Sequence, residues 1–580
     1  MILHFTPRVA GAICAAAALG ALAWRTPAHR PRTFLSLAFL AAGALAAAYG
    51  LAFDLHAPEH IVRGTKAAIA LSAAALSMIE GARRLAGQRT PRRVVQALAM
   101  AVAAWGTAAY VSFGDIGYAR FYHRHEFFHY YLGAKYDREL GYEWLYKCTA
   151  IAQVELGQGN EVRARKLREL VHDQLEPTAP TLEHPELCKQ RFADDRWAAF
   201  KADVKFFRST SSLQYWNDMQ KDHGYNPPPV WTLTGHLLAS IAPASDTTLL
   251  ALSMLDPLLF VATFAVIGWG FGWRVFAVAL GFWGCQVPAE YFWTGGAFLR
   301  QDWLFFIVAS ACLLRKRWFA LAGAALAWAT LLRVFPGIVL IGWLVVALAY
   351  FARHKRWKRE HLRVAMGGIV ATALLVPVSA AVAGPQAYID FKHHIDTHMA
   401  TPLTNNMGLR TLVSHGPAGR MKFTRDEKQL DPFGDWKRMR RERFEGLKPL
   451  YLLTLGALGV AYVWVVRRVR SLWIAQALAV VFVAATVEMT CYYYSIFLLA
   501  ILLSRVRKGF EQGALFVAGM SQLLVQNRLL SYYYDDRYTV QSLLFLGWGV
   551  VMLCAFATGR RKPKLAPATP PGEAPAVGAS

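Results

Sequence analysis

Residues 353–383 read RHKRWKREHLRVAMGGIVATALLVPVSAAVA, a basic run followed by a long apolar one. The apolar part, residues 363–383, has about the ~20 residues that an α-helix needs to cross a hydrocarbon layer of about 30 Å. Loops rich in Lys and Arg stay on the cytoplasmic side of a membrane. This stretch therefore predicts a membrane-spanning helix and also the direction in which it runs.

Similar apolar stretches recur along the whole chain of 580 residues. Hydrophobic residues make up 55% of the sequence and charged residues 17%, which is below the soluble average of about 25%. Hydropathy gives fifteen candidate spans: residues 8–24, 34–53, 66–82, 94–112, 247–271, 273–289, 300–314, 317–333, 335–352, 363–383, 448–466, 471–487, 491–504, 511–529 and 540–558. The sequence thus predicts an all-α, polytopic transmembrane helix bundle.

The formal charge of +25 would suggest a nucleic-acid partner in a soluble protein, but here the cations lie between the apolar stretches. When the chain is threaded through the spans, the basic clusters fall on one face, the cytoplasmic one. We therefore expect the bilayer, and no nucleic acid, as the partner of these cations. Two alternatives stay open: residues 1–24 as a cleaved signal peptide, and residues 471–504 as one tilted or re-entrant helix.

The spans divide the chain into regions. We expect additional N-terminal helices in residues 1–93, the first helix of the core at 94–112 and a disordered cytoplasmic tail at 559–580. Two long outer loops, 113–246 and 384–447, separate further groups of membrane helices at 247–383 and 448–558. Charged sequence at 150–173 and 191–208 resembles helix, so both loops are predicted to be helical or irregular. Chemistry is expected in these loops.

Two of the seven cysteines, Cys148 and Cys188, lie in the first outer loop, whereas the other five lie in predicted spans. The non-cytoplasmic side is oxidising, so a disulfide between them is one possibility. Two free buried thiols are the other.

The string His125-Glu126-Phe127-Phe128-His129 matches HExxH, which places two imidazoles one helical turn apart beside a carboxylate. Taken alone, it predicts a membrane zinc hydrolase with His125 and His129 as ligands. No third ligand follows at a known spacing. A helix of packed aromatic and histidine side chains explains the same string.

A second interpretation uses the same region. The run from Glu126 to Tyr131, followed by Gly141 and Leu145-Tyr146, resembles the first outer loop of the C-type membrane glycosyltransferases. It is most similar to their polyprenyl-phosphate-mannose-dependent family, in which a D-F-x-x-Y…G-x-x-L-Y pattern supplies the catalytic carboxylate. Other strings are similar to motifs of that family in the same order: Asn226–Pro229, Arg300–Asp302, Arg333–Pro336 and Asn405–Arg410.

The resemblance covers residues 94 to about 558 and implies an enzyme that moves a hexose, mannose in that family, from a polyprenyl-phosphate donor. The acceptor hydroxyl belongs to an unknown glycan, lipid or protein, and a single displacement inverts the anomeric carbon. The family implies no cofactor and no metal. It also implies a bacterial inner membrane with the active site on the periplasmic face.

The resemblance assigns roles to individual residues. Glu126 is the expected base, where the family usually has Asp, and Asp115 is the reserve candidate. The donor phosphate is expected at Arg300, Arg333, Asn405, Asn406 and Arg410, although Arg300 and Arg333 could simply reach toward the lipid headgroups. Tyr130 and Asp302 are expected to line the substrate site.

Other features support this interpretation less specifically. His394 belongs to a polar cluster in the second outer loop that could contact substrate or metal, or remain solvated. The tyrosines at 492–494 and 532–534 could stack on sugar or prenyl groups, or form an interfacial aromatic belt. A non-catalytic carrier of lipid-linked sugars is the remaining alternative.

Overall fold

The computed structural model describes residues 59–88, 90–114, 121–527 and 530–558. The predicted spans at 8–24 and 34–53, the reserve base Asp115 and the predicted tail at 559–580 lie outside the described residues. Within them the chain is mostly helical, and two small two-stranded sheets accompany the helices. The predicted all-α class is therefore confirmed.

Six helices in the described part of the chain are long and apolar enough to cross a membrane: Glu59–Leu85, Asp246–Phe271, Phe335–His354, Arg359–Ala383, Gly434–Val466 and Tyr534–Ala557. Four shorter helices are also apolar: Trp273–Cys285, Phe319–Leu332, Leu472–Thr486 and Cys491–Arg505. Three other predicted spans are occupied by helices Arg92–Tyr110, Asp302–Arg315 and Gly509–Gln526. The chain is thus a multispanning membrane protein, and the number of about 15 spans stays a prediction.

Several of these spans consist of consecutive pieces: Asp246–Ser253 and Leu255–Phe271; Phe335–Val339 and Leu340–His354; Leu472–Leu478 and Val480–Thr486; Cys491–Phe497, Leu498–Leu502 and Leu503–Arg505. Residues 471–504, for which one helix was an alternative, form two helical units separated by the short strand Met489–Thr490.

One face of helix Arg359–Ala383 carries large exposed apolar side chains. Leu362, Met366, Ile369 and Leu374 are 52–63% exposed and recur at helical spacing. Water would make such a stripe costly, whereas lipid acyl chains cover it without penalty. The exposed stripe supports the assignment of this helix to a bilayer.

The opposite face of the same helix packs against helix Phe319–Leu332 in direct backbone contact. A Cβ atom at Gly367 would overlap the carbonyl oxygen of Ala320, and one at Gly323 would overlap that of Val364. Small residues let membrane helices approach closely enough for van der Waals packing. The two glycines therefore fix how these helices pair.

The first outer loop folds around an aromatic core that includes the fully buried Trp216, Phe200 and Phe207. Its helices are Arg124–Lys135, Asp137–Leu140, Leu145–Glu155, Gly159–Arg163, Ala179–Glu183, Glu186–Lys189, Asp194–Ser209, Leu213–Met219 and Pro229–Ala239, after a 3₁₀ turn at Ser112–Gly114. The prediction of helix up to residue 173 was wrong.

Residues of that stretch instead form a hairpin of strands Lys166–Glu169 and Gln174–Pro177, because the chain turns at Asp173 with a φ of 56°. Arg168 stabilises the turn by donating from Nη1 to the Asp173 carbonyl at 2.8 Å. In the same loop, a disulfide joins Cys148 to Cys188, with Cα atoms 5.3 Å apart. It is the first of the two possibilities that the sequence left open.

The second outer loop contains helices Ala387–Ala400, Leu409–Ser414 and Met421–Thr424, and helix Tyr291–Thr294 lies in a shorter loop. Strand Asn406–Met407 pairs antiparallel with Met489–Thr490. Helix Gly434–Val466 begins before the predicted span 448–466, because its polar first turns are supported by ion pairs such as Arg438–Glu442 at 3.3 Å. The two outer loops contact each other where Lys166 Nζ donates to the Leu430 carbonyl at 3.0 Å.

Candidate functional site

The HEFFH string lies at the start of helix Arg124–Lys135. His123 caps this helix, because its Nδ1 accepts a hydrogen bond from the Glu126 backbone N–H at 3.2 Å. An accepting nitrogen requires a neutral ring, and burial lowers the pKa of His123 well below its usual value. The cap holds Glu126 in the first turn, where the helix dipole favours a negative charge.

The two histidines and the glutamate of this string lie on different faces of the helix. His125 and His129, one turn apart, approach Asp222, with the two imidazole centroids 4.6 Å from each other. Glu126 points elsewhere, toward Arg300. The carboxylate and the imidazoles of HExxH thus have different partners.

Glu126 and Arg300 form a bidentate ion pair. Arg300 Nε donates to Glu126 Oε1 at 2.9 Å, and Arg300 Nη2 donates to Oε2. The Glu126 side chain is 4% exposed and that of Arg300 is 12% exposed. Both carboxylate oxygens are hydrogen-bonded to Arg300. The guanidinium therefore compensates the negative charge of Glu126 in a site that largely excludes water.

Several contacts position Arg300 beside Glu126. Asp256 accepts hydrogen bonds from the backbone N–H groups of Arg300 and Gln301, each at 3.2 Å. The guanidinium lies 4.3 Å above the ring of Tyr492 and donates to the Trp293 carbonyl. Asp256 was not among the predicted site residues, although a carboxylate followed by proline is unusual inside an apolar span.

The ion pair opens onto a cavity of about 850 Å³. Its walls come from the first outer loop and from the ends of membrane helices. Five Lys and Arg side chains face three carboxylates: Arg124, Arg168, Lys221, Arg300 and Lys437 against Glu126, Asp218 and Asp222. Nine aromatic side chains complete the walls: Tyr122, Tyr130, Tyr215, Phe292, Trp293, Phe433, Trp436, Tyr492 and Tyr534.

Tyr130 lines the cavity, as do the predicted residues Glu126 and Arg300. Its hydroxyl donates to Asn226 Oδ1 at 2.9 Å. Arg333 does not line the cavity. It is 6% exposed, and its Nε donates to the Tyr493 hydroxyl at 3.1 Å. Asp302 is equally buried and accepts a hydrogen bond from the Trp303 N–H at 2.7 Å in the first turn of its own helix.

The predicted donor-binding residues Asn405, Asn406 and Arg410 also lie in different places relative to the cavity. Asn405 lines the cavity, and its carbonyl accepts from the Cys491 N–H at 2.9 Å. Asn406 is buried in the short strand pair. Arg410 lies outside the cavity wall, 3.6 Å from Glu488 and 4.5 Å above the Phe444 ring.

His394 stacks on Tyr142 with ring centroids 5.4 Å apart and does not line the cavity, although His398, one turn further on, does. Both ring nitrogens of His394 and Nδ1 of His398 are buried without a hydrogen-bond partner. Burial lowers the pKa of His394 to about 4 and that of His398 to about 3. These imidazoles are therefore neutral at physiological pH.

Three groups of His and acidic side chains in the described residues have ligand atoms within 4.8 Å of one another. One is His125, His129 and Asp222; the others are Asp173, His223, His398 and His415, Asp535, Asp536. The first group and two members of the second line the cavity. Sequence reasoning had found no third ligand for His125 and His129, since Asp222 lies far along the chain in an irregular stretch.

The cavity can hold an anionic ligand with an apolar or sugar-like part. Its cations suit a phosphate, and its aromatic walls suit a sugar ring or prenyl chain. No protein-family model, curated protein sequence or solved structure matches this chain.

Proposed function

We propose that this chain is an integral membrane glycosyltransferase that transfers a hexose from a polyprenyl-phosphate donor to an acceptor hydroxyl, with inversion. Mannose is the expected sugar by resemblance. The observation that carries the proposal is the meeting of Glu126 with Arg300 in one buried ion pair at the cavity wall. A base and a phosphate-binding cation from distant parts of the sequence then lie side by side.

The position of the cavity supports a lipid-linked substrate. Arg300 lies two residues before the start of helix Asp302–Arg315, and Tyr492 and Tyr534 lie at the beginnings of two other apolar helices. The cavity therefore lies where the membrane helices meet the outer loop. A polyprenyl-phosphate sugar has its phosphate at that depth, with its chain in the lipid and its sugar in the polar layer.

The ion pair suggests how the donor prepares the reaction. Both oxygens of Glu126 are bonded to Arg300, so the guanidinium compensates the negative charge that would attract an acceptor proton. A donor phosphate competes for the same guanidinium, since Arg binds phosphate and carboxylate in the same bidentate way. When Arg300 turns to the phosphate, Glu126 is released to accept a proton.

The transfer step then balances as a single displacement. The acceptor oxygen bonds to the anomeric carbon, the bond from that carbon to the phosphate oxygen breaks, and the acceptor proton passes to Glu126. Polyprenyl phosphate leaves with the electron pair, and Arg300 with neighbouring cations stabilises its charge. One attack inverts the anomeric carbon.

The same ion pair weighs against a zinc hydrolase. Asp222 does give His125 and His129 a third neighbour, which favours metal binding. A hydrolase of this type needs Glu126 as the base for a metal-bound water, however. A neutral amide substrate has no anionic group that could replace Glu126 as the partner of Arg300. Glu126 would therefore stay paired with Arg300 during the reaction.

We further propose that the cavity faces the periplasm of a bacterial inner membrane. The inner ends of several helices carry clustered basic residues, such as Arg83 and Arg84, whereas the cavity lies at the opposite ends. Cysteines introduced at Lys392 and Arg317 test this: a membrane-impermeant maleimide added to intact cells should label only the first. Labelling of only the second would reverse the orientation.

The transferase proposal is tested on the purified full-length chain in lipid nanodiscs. Synthetic polyprenyl-phosphate mannose is supplied with octyl mannoside and other hydroxyl acceptors, and released polyprenyl phosphate is measured by mass spectrometry. We expect release with the wild-type chain and a loss of at least about 100-fold in Glu126→Gln.

Glu143→Gln is the matched control, because Glu143 is exposed in the same loop. It should keep full activity. Equal activity of Glu126→Gln and the wild-type chain would overturn the assignment of the base.

A further inference from the structure

We infer that His125, His129 and Asp222 bind one divalent transition-metal ion, of which Zn²⁺ is the prime candidate. The inference is independent of the transferase proposal, since it concerns the other face of helix Arg124–Lys135. His125 Nε2 lies 3.6 Å from Asp222 Oδ2, and one ligand atom from each of the three residues lies within 4.8 Å of the others. Two imidazoles and a carboxylate form a ligand set that zinc and its neighbours in the first row favour.

The hydrogen bonds of His129 prepare its Nε2 as a ligand atom. Its Nδ1 lies 2.6 Å from the His125 carbonyl oxygen, which can only accept, so Nδ1 carries the proton. A backbone carbonyl in this position fixes the tautomer of many metal-binding histidines. With the proton on Nδ1, the neutral ring presents the lone pair of Nε2.

That lone pair meets an unfavourable neighbour. The carbonyl oxygen of Met219 lies 3.1 Å from Nε2, so two electron-rich atoms face each other without a proton between them. The Tyr146 hydroxyl, 2.7 Å away, donates to Nε2 and accepts from the Gly224 N–H. A cation beside Nε2 would relieve the repulsion, and Tyr146 would keep its hydrogen bond to Gly224.

Asp222 and Asp535 are the carboxylates of the three His/Asp groups that pair with no Lys or Arg of the described residues. Asp535 is buried and accepts hydrogen bonds from the Met421 N–H and from Trp436 Nε1. The Asp222 side chain is 43% exposed at the cavity wall. The Asp222 carboxylate therefore has no cation of its own.

The other two groups already have their countercharge. Asp173 is 2.8 Å from His223 Nδ1 and 3.4 Å from Arg168, and Arg420 binds Asp536 through two hydrogen bonds of 2.8 Å. A metal there would have to displace an arginine. The group around Asp222 is thus the best metal site among the described residues.

The three ligands leave positions for water or a substrate oxygen, because His125 and Asp222 both line the cavity. A bound ion would add positive charge to the cavity wall. It would also tie helix Arg124–Lys135 to the stretch after helix Leu213–Met219.

The test is the metal content and zinc affinity of the purified full-length chain. After treatment with EDTA and dialysis, zinc is titrated against a chromophoric chelator, and bound metal is counted by mass spectrometry. We expect one equivalent per chain, and an affinity at least about tenfold lower in Asp222→Asn and His125→Asn. Asp218→Asn is the matched control, because Asp218 lies in the same wall and pairs with Lys221 at 2.8 Å; its affinity should equal the wild-type value.

His223→Gln tests whether the neighbouring group of Asp173, His223 and His398 contributes to metal binding. This variant should also keep the metal. Co²⁺ added to the wild-type chain gives a measurement that no folding defect of a variant can affect. Visible absorption bands of a low-coordinate Co²⁺ site with nitrogen ligands should appear. Addition of zinc should then abolish these bands. Wild-type chain without stoichiometric metal would overturn the inference. So would unchanged affinity in Asp222→Asn, or loss of the ion through His223→Gln alone.

Discussion

The carboxylate of Glu126 accepts two hydrogen bonds from the guanidinium of Arg300, which lies 174 residues further along the chain. Both side chains are buried at the wall of one cavity. The pair joins the first outer loop to the end of a membrane helix. It is therefore a structural tie as well as a candidate reaction centre.

The coupling of this pair can be measured through stability. Arg300→Met leaves a buried carboxylate uncompensated and should lower the free energy of unfolding by roughly 3–5 kcal/mol. Glu126→Gln should recover part of that loss in the double variant, because no unpaired charge remains. Chemical denaturation of the four proteins gives the coupling energy. Strict additivity would mean that the two side chains do not interact.

The disulfide between Cys148 and Cys188 closes a segment with a sequence separation of 40. We expect the Cys148→Ser/Cys188→Ser variant to be less stable by about 2–4 kcal/mol, because the unfolded chain gains freedom. The thermal midpoint measures this, with Cys554→Ser as the control, since Cys554 is free and exposed. Alkylation of both Cys148 and Cys188 in the unreduced protein would disprove the bridge.

The buried histidines of helix Ala387–Ala400 predict the direction of the pH dependence. Burial lowers the pKa of His394 to about 4 and that of His398 to about 3, both below the usual 6.5. Between these values and 6.5 the unfolded chain binds more protons, so stability falls as the pH falls, by up to about 1.4 kcal/mol per pH unit for each group.

Thermal midpoints in detergent at pH 7, 6 and 5 measure this slope. His394→Gln/His398→Gln should flatten it, whereas His184→Gln, at an exposed position, should not. A stability that rises on acidification would contradict the burial of these rings as neutral groups.

Gly367 tests the membrane packing. Gly367→Leu places a side chain against the backbone of helix Phe319–Leu332 and should cost roughly 1–3 kcal/mol or prevent assembly. Gly456→Leu is the control, since nothing lies within 4 Å of a Cβ atom there. Thermal stability by fluorescence size-exclusion chromatography compares the two, and equal midpoints would refute the close helix pairing.

Hydropathy was sufficient to predict the helical class and several helices long enough to cross a membrane, because a bilayer requires long apolar segments. The hairpin at 166–177 was missed since its short strands consist mainly of Lys, Leu, Arg, Glu and Gln, which are also common in helices. Of the residues that the motifs proposed for the base and the donor phosphate, Glu126, Arg300 and Asn405 line one cavity, whereas Arg333 and Asn406 do not. Arg410 instead pairs near Glu488, a tertiary contact that no local pattern indicates.

Asp222 and Asp256 could not be assigned roles from the sequence. Asp222 meets His125 only because the irregular stretch after helix Leu213–Met219 returns to helix Arg124–Lys135. Asp256 lies in one membrane helix and accepts a hydrogen bond from the backbone N–H of Arg300, which lies just before another membrane helix. Such contacts depend on the packed fold, and spacing along the chain carries no signal for them.

The most direct measurement is a cryo-electron microscopy structure of Glu126→Gln in nanodiscs saturated with polyprenyl-phosphate mannose. The variant keeps the cavity but blocks turnover. We expect the phosphate within hydrogen-bonding distance of the Arg300 guanidinium, with the sugar against Trp293 or Tyr492. A cavity that stays empty, or a lipid phosphate bound away from Arg300, would contradict the proposal that this site binds the donor.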